Sequence, residues 1–182
     1  MTSTNQNIEQ LLQLCQSGNQ RAQLEIYNRY NKAMYNTAFR IVKNSFKAED
    51  IMQESFLTAF TKLNTLQDTN LFGAWLKRIV VNNSIGYYNK AVKQNEVPLD
   101  SVIYKAEADN GINDNEQTDE KVKRILDAMK TLKPNYSLGL SLHLIEGYDY
   151  EEICEIMNIS YANCRTLISR AKESLRKKLL LN

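Results

Sequence analysis

The stretch YDYEEICEIMNISYANCRTLISRAKESLRKK, residues 148–178, decides the fold. Ile153, Cys154, Ile156 and Met157 mark a short helix, and Cys164, Ile168, Ala171 and Leu175 recur at helical spacing along a longer, basic one. Between them stands Asn158-Ile159-Ser160. Asn tolerates the left-handed backbone that a tight helix-to-helix turn demands, and Ser is a strong N-cap for the helix that follows. The pattern predicts a helix-turn-helix. Cys154 supplies a small side chain where the two helices cross, and both cysteines read as core rather than as ligands. The outward positions Tyr161, Asn163, Arg165, Thr166, Ser169 and Arg170, led by Ser160, would sit in or beside a major groove, with Lys172, Arg176, Lys177 and Lys178 available to phosphates. A basic helix alone reads equally well as solvated surface. The scaffold helix and turn in front of it favour DNA reading.

Upstream, Pro134 suits the first turn of another helix, and Val122, Ile125, Leu126 and Met129 show helical spacing in a segment that begins at Asp119. Before that the charge changes sign. Residues 94–120 hold Glu96, Asp100, Glu107, Asp109, Asp114, Glu116, Asp119 and Glu120 against Lys105 alone, a net of −7. Residues 1–93 sum to +5 and residues 121–182 to +4, so the overall +2 conceals two basic lobes and an acidic strap. The strap also holds Pro98 and Gly111 and no sustained apolar period, as a linker would. Its functional alternative is an acidic tether that covers basic faces in the absence of DNA, or follows an electropositive channel in a partner.

In the first lobe, Gly18 and Asn19 separate a short helix, residues 8–16, from a long one over 20–43. A third helix over 47–63 has Met52, Phe56, Ala59, Phe60 and Leu63 on its inner face. Beside them runs a second stripe, Asp50, Gln53, Glu54, Leu57 and Thr61, which suits docking against a basic partner helix. A fourth helix over 70–90 turns Phe72, Leu76, Ile79 and Val80 inward and sets Trp75, Arg78, Asn82, Gly86 and Asn89 on another face. Rings beside cations and amides are what single-stranded DNA binding requires, since bases stack on rings and cations meet phosphates. A core Trp is the bland reading.

The expected fold is all-α: two small helical domains, residues 1–93 and 119–182, joined by a flexible acidic linker, residues 94–118, with the helix-turn-helix in the C-terminal domain. No apolar run approaches the roughly 18 residues of a membrane span, and the polar start has no secretory pattern. Three cysteines without CxxC spacing support neither a disulfide framework nor a metal site, so a reducing cytoplasm is the expected compartment. No cofactor is implied. The lone His143 lies in an apolar stretch as a core or boundary residue, and no carboxylate pair, phosphate loop or ligand cluster points to an enzyme.

Three segments together resemble the small, two-domain extracytoplasmic-function group of bacterial RNA polymerase sigma factors: AEDIMQESFLTAF (residues 48–60), FGAWLKRIVVNNSI (72–85), and LKPNYSLGLSLHLIEGYDYEEICEIMNIS with RTLISRAKESLRKKL (132–179). The resemblance implies docking of Asp50, Gln53, Glu54, Phe56 and Leu57 on the clamp helices of the polymerase's largest subunit. It implies minus-ten melting and single-strand capture by Asn64, Gln67, Asp68, Trp75, Lys77, Arg78 and Asn82, and reading of the minus-thirty-five element by the helix that begins near Tyr161. The flap of the second-largest subunit is a further implied contact, and the strap would run through the RNA exit path.

The chain departs from the family where Gly86 and Asn89 replace an Asp and an Arg. It departs again where Ala162-Asn163-Cys164 replaces a Gly-Thr-Val-like run and Leu167 a second basic residue. Removing cations removes phosphate contacts. Weak unaided promoter recognition is therefore expected, with a separate DNA-targeting partner, a nucleic-acid-guided one among the candidates. An anti-sigma factor is the other candidate partner. A stand-alone helix-turn-helix regulator is the alternative function, and it leaves the Asp50–Thr61 stripe and the Trp75 helix unexplained.

Overall fold

In a computed structural model the described residues are 7–93 and 116–180. They form eight α-helices: α1 (Ile8–Gln16), α2 (Gln20–Val42), α3 (Ser45–Thr61), α4 (Phe72–Lys93), α5 (Glu116–Lys130), α6 (Pro134–Leu140), α7 (Tyr150–Met157) and α8 (Tyr161–Leu180). Among the described residues there is no strand. The chain divides into two units inside the undescribed stretch, between Glu96 and Val97. Most of the expected linker lies outside the described residues; its last three residues belong to α5, which starts at Glu116.

The helix boundaries of the first unit follow from its caps. Asn19 accepts hydrogen bonds from the backbone of Arg21 and Ala22, and this starts α2 where the sequence breaks. Lys43, expected to be helical, ends α2 in the left-handed region at φ 55°. Asn44 then caps α3 through the Lys47 N–H at 3.0 Å, so α3 begins two residues before the expected Lys47. It stops at Thr61, and Leu63 reaches the core from a 3-10 turn, Leu63–Thr65.

Helices α2, α3 and α4 pack on one another, and α1 lies against α2. Their shared core takes Leu11 and Leu12 from α1, Ile26 and Met34 from α2, Met52 and Phe56 from α3, and Phe72, Leu76 and Val80 from α4. Tyr27 meets Phe56 at 4.9 Å, and Tyr30 meets Phe72 edge-on at 5.4 Å. Where α3 and α4 cross, Ser55 and Ser84 are buried and hydrogen-bond back to their own helices, while Asn83 Nδ2 donates to Ser55 Oγ at 3.0 Å. Phe60 and Ile79, expected inward, are half-buried.

In the second unit α8 is the central helix, packed by α5, α6 and α7. Cys164, Ile168, Ala171 and Leu175 are its buried face, as the spacing requires. Ala128, Met129 and Leu132 cover its later turns. Helix α5 docks only by its end: Val122, Ile125 and Leu126 remain exposed, and Arg124 Nη2 donates to the Leu179 carbonyl at 3.1 Å. After α6 one π turn, Ser141–Ile145, closed by the Glu146 N–H on the Ser141 carbonyl at 3.0 Å, redirects the chain toward α7.

Two glycines have opposite consequences. A Cβ on Gly86 would meet nothing within 4 Å, whereas one on Gly139 would run into the Leu167 and Ile168 side chains. Leu167, half-buried, therefore closes the α6–α8 crossing, which gives a packing reason for an apolar side chain at this position. Gly86→Ala should raise the stability of the first unit by about 1 kcal/mol, the difference in helix propensity. Gly139→Ala should lower that of the second by about 1–3 kcal/mol through overpacking. Urea unfolding measures both, and Leu167→Ala added to Gly139→Ala should recover part of the loss if the clash is the cause.

Candidate functional site

Three exposed faces carry the residues singled out from sequence. On α3, Asp50, Gln53, Glu54, Leu57 and Thr61 are exposed. Leu57 is 69% exposed, an apolar side chain set among the carboxylates and amide of the stripe. Asp50 lies 3.5 Å from Lys47, an exposed i,i+3 pair of little energetic weight, so its carboxylate is accessible to another cation. Phe56 requires correction. It is 2% exposed and packed beneath the helix at a tilt against Tyr27, so it supports the stripe from inside and offers no surface to a partner.

The second face joins α4 to the loop before it. Trp75, Arg78, Asn82, Gly86 and Asn89 share one side of α4 at about 100° per residue; Asn82, Gly86 and Asn89 are exposed and Arg78 is half-buried. Trp75 is half-buried, its ring 6.1 Å from Phe72, so one part of the indole belongs to the core and the rest reaches solvent. The core reading of Trp75 thus holds in part, and part of the ring remains open to solvent. Lys77, two residues on, lies about 160° around the helix from Trp75 and does not share its face. In the loop, Asn64 and Gln67 are exposed. Asp68 accepts from the Asn70 backbone at 2.9 Å and from Asn70 Nδ2 at 3.1 Å, and so holds the 3-10 turn Thr69–Leu71 that leads into α4.

The third face is built by the helix-turn-helix. Asp149 and Glu152 form a reciprocal capping box at the start of α7, at 2.8 and 3.0 Å. Asn158 takes the left-handed conformation at φ 53°, ψ 52°. Ser160 Oγ accepts the Asn163 N–H at 3.3 Å, so Ser160 acts as the cap of α8. Helix α8 then presents Tyr161, Asn163, Arg165, Thr166, Ser169 and Arg170 outward, all exposed, with Lys172 half-buried. Arg165, Thr166, Ser169 and Arg170 line an open groove of about 640 Å³ with Ala162 and Tyr150.

Tyr150 is a groove residue that sequence reasoning missed. It is the middle link of a chain of aromatic contacts that runs from the π turn to α8: His143 lies 5.1 Å from Tyr150, which lies 6.2 Å from Tyr161. His143 Nδ1 sits 3.1 Å from the Tyr148 carbonyl. A carbonyl only accepts, so Nδ1 carries the proton, and the ring acts as a brace at the boundary of the core. Inside the crossing, the Cys154 and Cys164 thiols interact. Burial, with Cys154 beside it, pushes the Cys164 thiol up to about 11, which keeps it protonated at neutral pH and fits the packing role expected of it. No cluster of metal-ligating side chains occurs among the described residues, and no described helix is long and apolar enough to cross a membrane.

These faces can be set beside known proteins. Residues 26–94, which include nearly all of α2 and all of α3 and α4, match the model of sigma-70 region 2. Residues 123–175, from α5 into α8, match that of sigma-70 region 4. The chain is 28% identical over 152 residues to the ECF RNA polymerase sigma factor SigM of Bacillus subtilis, an alignment that covers 84% of this chain and 91% of that one. It is 27% identical over 180 residues to the ECF RNA polymerase sigma-E factor of Escherichia coli, covering 93% and 92%. Among solved structures, the sigma factor RpoE of Bartonella quintana, crystallised with the anti-sigma factor NepR, shares the fold with a TM-score of 0.58 at 20% identity, over 87% of this chain and 96% of that one. With both regions matched in order and full-length relatives on either side of the match, the chain belongs to the extracytoplasmic-function group of sigma factors, transcription-initiation proteins rather than enzymes, which bind core RNA polymerase and promoter DNA.

Proposed function

We propose that the three exposed faces divide the work of initiation among themselves. The α3 stripe, Asp50, Gln53, Glu54 and Leu57, docks on the clamp helices of the polymerase's largest subunit. Trp75, Arg78 and Asn82, with Asn64 and Gln67 of the preceding loop, hold the separated minus-ten strand: the exposed part of the indole stacks a base and Arg78 meets a phosphate. Asn163, Arg165, Thr166, Ser169 and Arg170 read the minus-thirty-five element from the major groove, with Tyr161 and Lys172 at its edge. The observation that carries this reading is that on α3, α4 and α8 the side of the helix suited to the partner is the side the core leaves to solvent.

The exposed apolar ridge of α5, Val122, Ile125 and Leu126, is assigned to the flap of the second-largest subunit. An anti-sigma factor seated on the same ridge would exclude the polymerase. Residues 94–115, assigned to the RNA exit path, lie outside the described residues. The protein acts where the polymerase is, in the cytoplasm.

A separate DNA-targeting partner, nucleic-acid-guided or otherwise, rests on fewer departures than the sequence suggested. Cys164 is buried and the half-buried Leu167 packs beside Gly139, so both have a packing reason, whereas Gly86, Asn89, Ala162 and Asn163 are exposed. Transcription with core polymerase and this chain alone tests it, because strong promoter-specific initiation without a helper removes the need for one.

Reversal of charge at two docking positions, Asp50→Lys with Glu54→Lys, should weaken binding to core polymerase at least about tenfold, since like charges brought together cost several kcal/mol. A pull-down with matched circular dichroism checks it, and unchanged binding would sink the docking assignment. On DNA, Arg165→Ala and Arg170→Ala should each flatten the dependence of log K on log salt by about 1, and Asn89→Arg should steepen it on single strands by about 0.7. Fluorescence anisotropy across a salt series reads all three.

A further inference from the structure

The most exposed aromatic side chain described in the chain, Phe46, is absent from every assignment above. It stands in the first turn of α3 and is 79% exposed. Helical phase rules out a place in the core: Phe46 lies about 160° around the helix from Ala48, and Ala48, Ile51, Met52, Ser55 and Phe56 form the buried side. The phase itself is fixed by the Asn44 cap two residues earlier.

Phe46 also contributes nothing evident to its own helix. A first turn favours acidic side chains, because its free N–H groups carry partial positive charge, and α3 has none there. Phe has only middling helix propensity. Its position, however, is informative. Phe46, Asp50, Gln53 and Leu57 are spaced i, i+4, i+7 and i+11, which places them within an arc of about 60° along one side of the helix. The ends of this row are two exposed apolar side chains, about 16 Å apart along the axis at 1.5 Å per residue. Between them stand Glu49, Asp50, Gln53 and Glu54, all exposed.

We infer that Phe46 is an apolar anchor for core RNA polymerase, at the N-terminal end of the α3 docking row whose other anchor is Leu57. This rests on the proposal that α3 docks on the polymerase. The complementary surface is a helical one with basic residues at its centre and two apolar recesses, one on either side, about three helical turns apart. Charge complementarity selects the basic centre, and the two apolar ends set register along the helix, since a slip of one turn would leave an aromatic ring facing charge. An aromatic ring buried in a recess at an interface is the kind of residue that dominates binding energy, whereas the exposed ion pairs around it mainly set orientation.

The test uses the full chain and core polymerase, with Phe46→Ala, Phe46→Glu and Phe46→Leu beside the Asp50→Lys, Glu54→Lys pair. Phe46→Ala should weaken polymerase binding about tenfold or more, as hot-spot truncations do, and Phe46→Leu should retain most of it. Phe46→Glu should weaken binding at least as much while its thermal midpoint holds or rises, because it places an acid in the first turn. That combination separates an interface role from a folding one. If Phe46→Ala and Phe46→Glu bind as the unaltered chain does while the charge-reversed pair fails, the Phe46 inference is overturned and the docking proposal stands. If all of them bind normally, both fall.

Discussion

Helical phase is the constraint from which the rest follows. Fully burying a Phe or Ile side chain contributes about 1.5–3 kcal/mol, and α3 is held by Ile51, Met52 and Phe56 together, α8 by Cys164, Ile168, Ala171 and Leu175. An exposed ion pair contributes about 0–1 kcal/mol. The core therefore sets the rotation of each helix, and the surface chemistry is carried along with it. A turn of α3 by one residue, about 100°, would carry Asp50 and Leu57 from the solvent side to the edge of the core. The faces proposed to meet polymerase and DNA are positioned by core residues that those proposals leave out.

This explains what could be read in the sequence and what could not. Asn158 and Ser160 announced their own geometry, because a left-handed turn and an N-cap select particular side chains, and both are found as expected. The inward face of α8 was legible for the same reason, four apolar residues at helical spacing. Lys43 was not: it ends α2 in the left-handed region although nothing in its side chain favours that conformation. Leu167 looked like a surface position by comparison with relatives, yet α6 approaches so closely at Gly139 that the covered arc of α8 extends to include it. Phe56 was carried onto the docking surface by resemblance alone, against the helical spacing that had already placed it inside. Lys77 joins Trp75 through the same resemblance, yet two residues of helix rotation place it on another side of α4.

The π turn shows a different limit. The run Ser141–Ile145 reads as an uninterrupted apolar helix segment, and its extra residue per turn appears only once the chain must redirect from α6 to α7. His143 then meets the Tyr148 carbonyl, Tyr150 reaches Tyr161, and α7 and α8 are braced at the end where the groove opens. Such contacts depend on tertiary approach, and no local pattern encodes them. That is also why Tyr150 entered the groove unannounced.

The near-neutral net charge can now be weighed against the faces. On the proposed reading of α4, a cation in place of Asn89 would add one phosphate contact, a factor of roughly four in single-strand affinity at physiological salt from a slope change of about 0.7. That is small beside the several kcal/mol at stake in docking on the polymerase. The departure on α8 is of another kind. Cys164 packs in the crossing and leaves the recognition surface to Ala162 and Asn163 in the first turn, where an Asn amide can make paired hydrogen bonds to adenine and a methyl group can meet thymine. A change of bases read follows from this chemistry more directly than a loss of grip. On the proposed reading, the electrostatic deficit alone thus gives a weak reason for a helper, and the first turn of α8 bears on which bases are read more than on how tightly DNA is held.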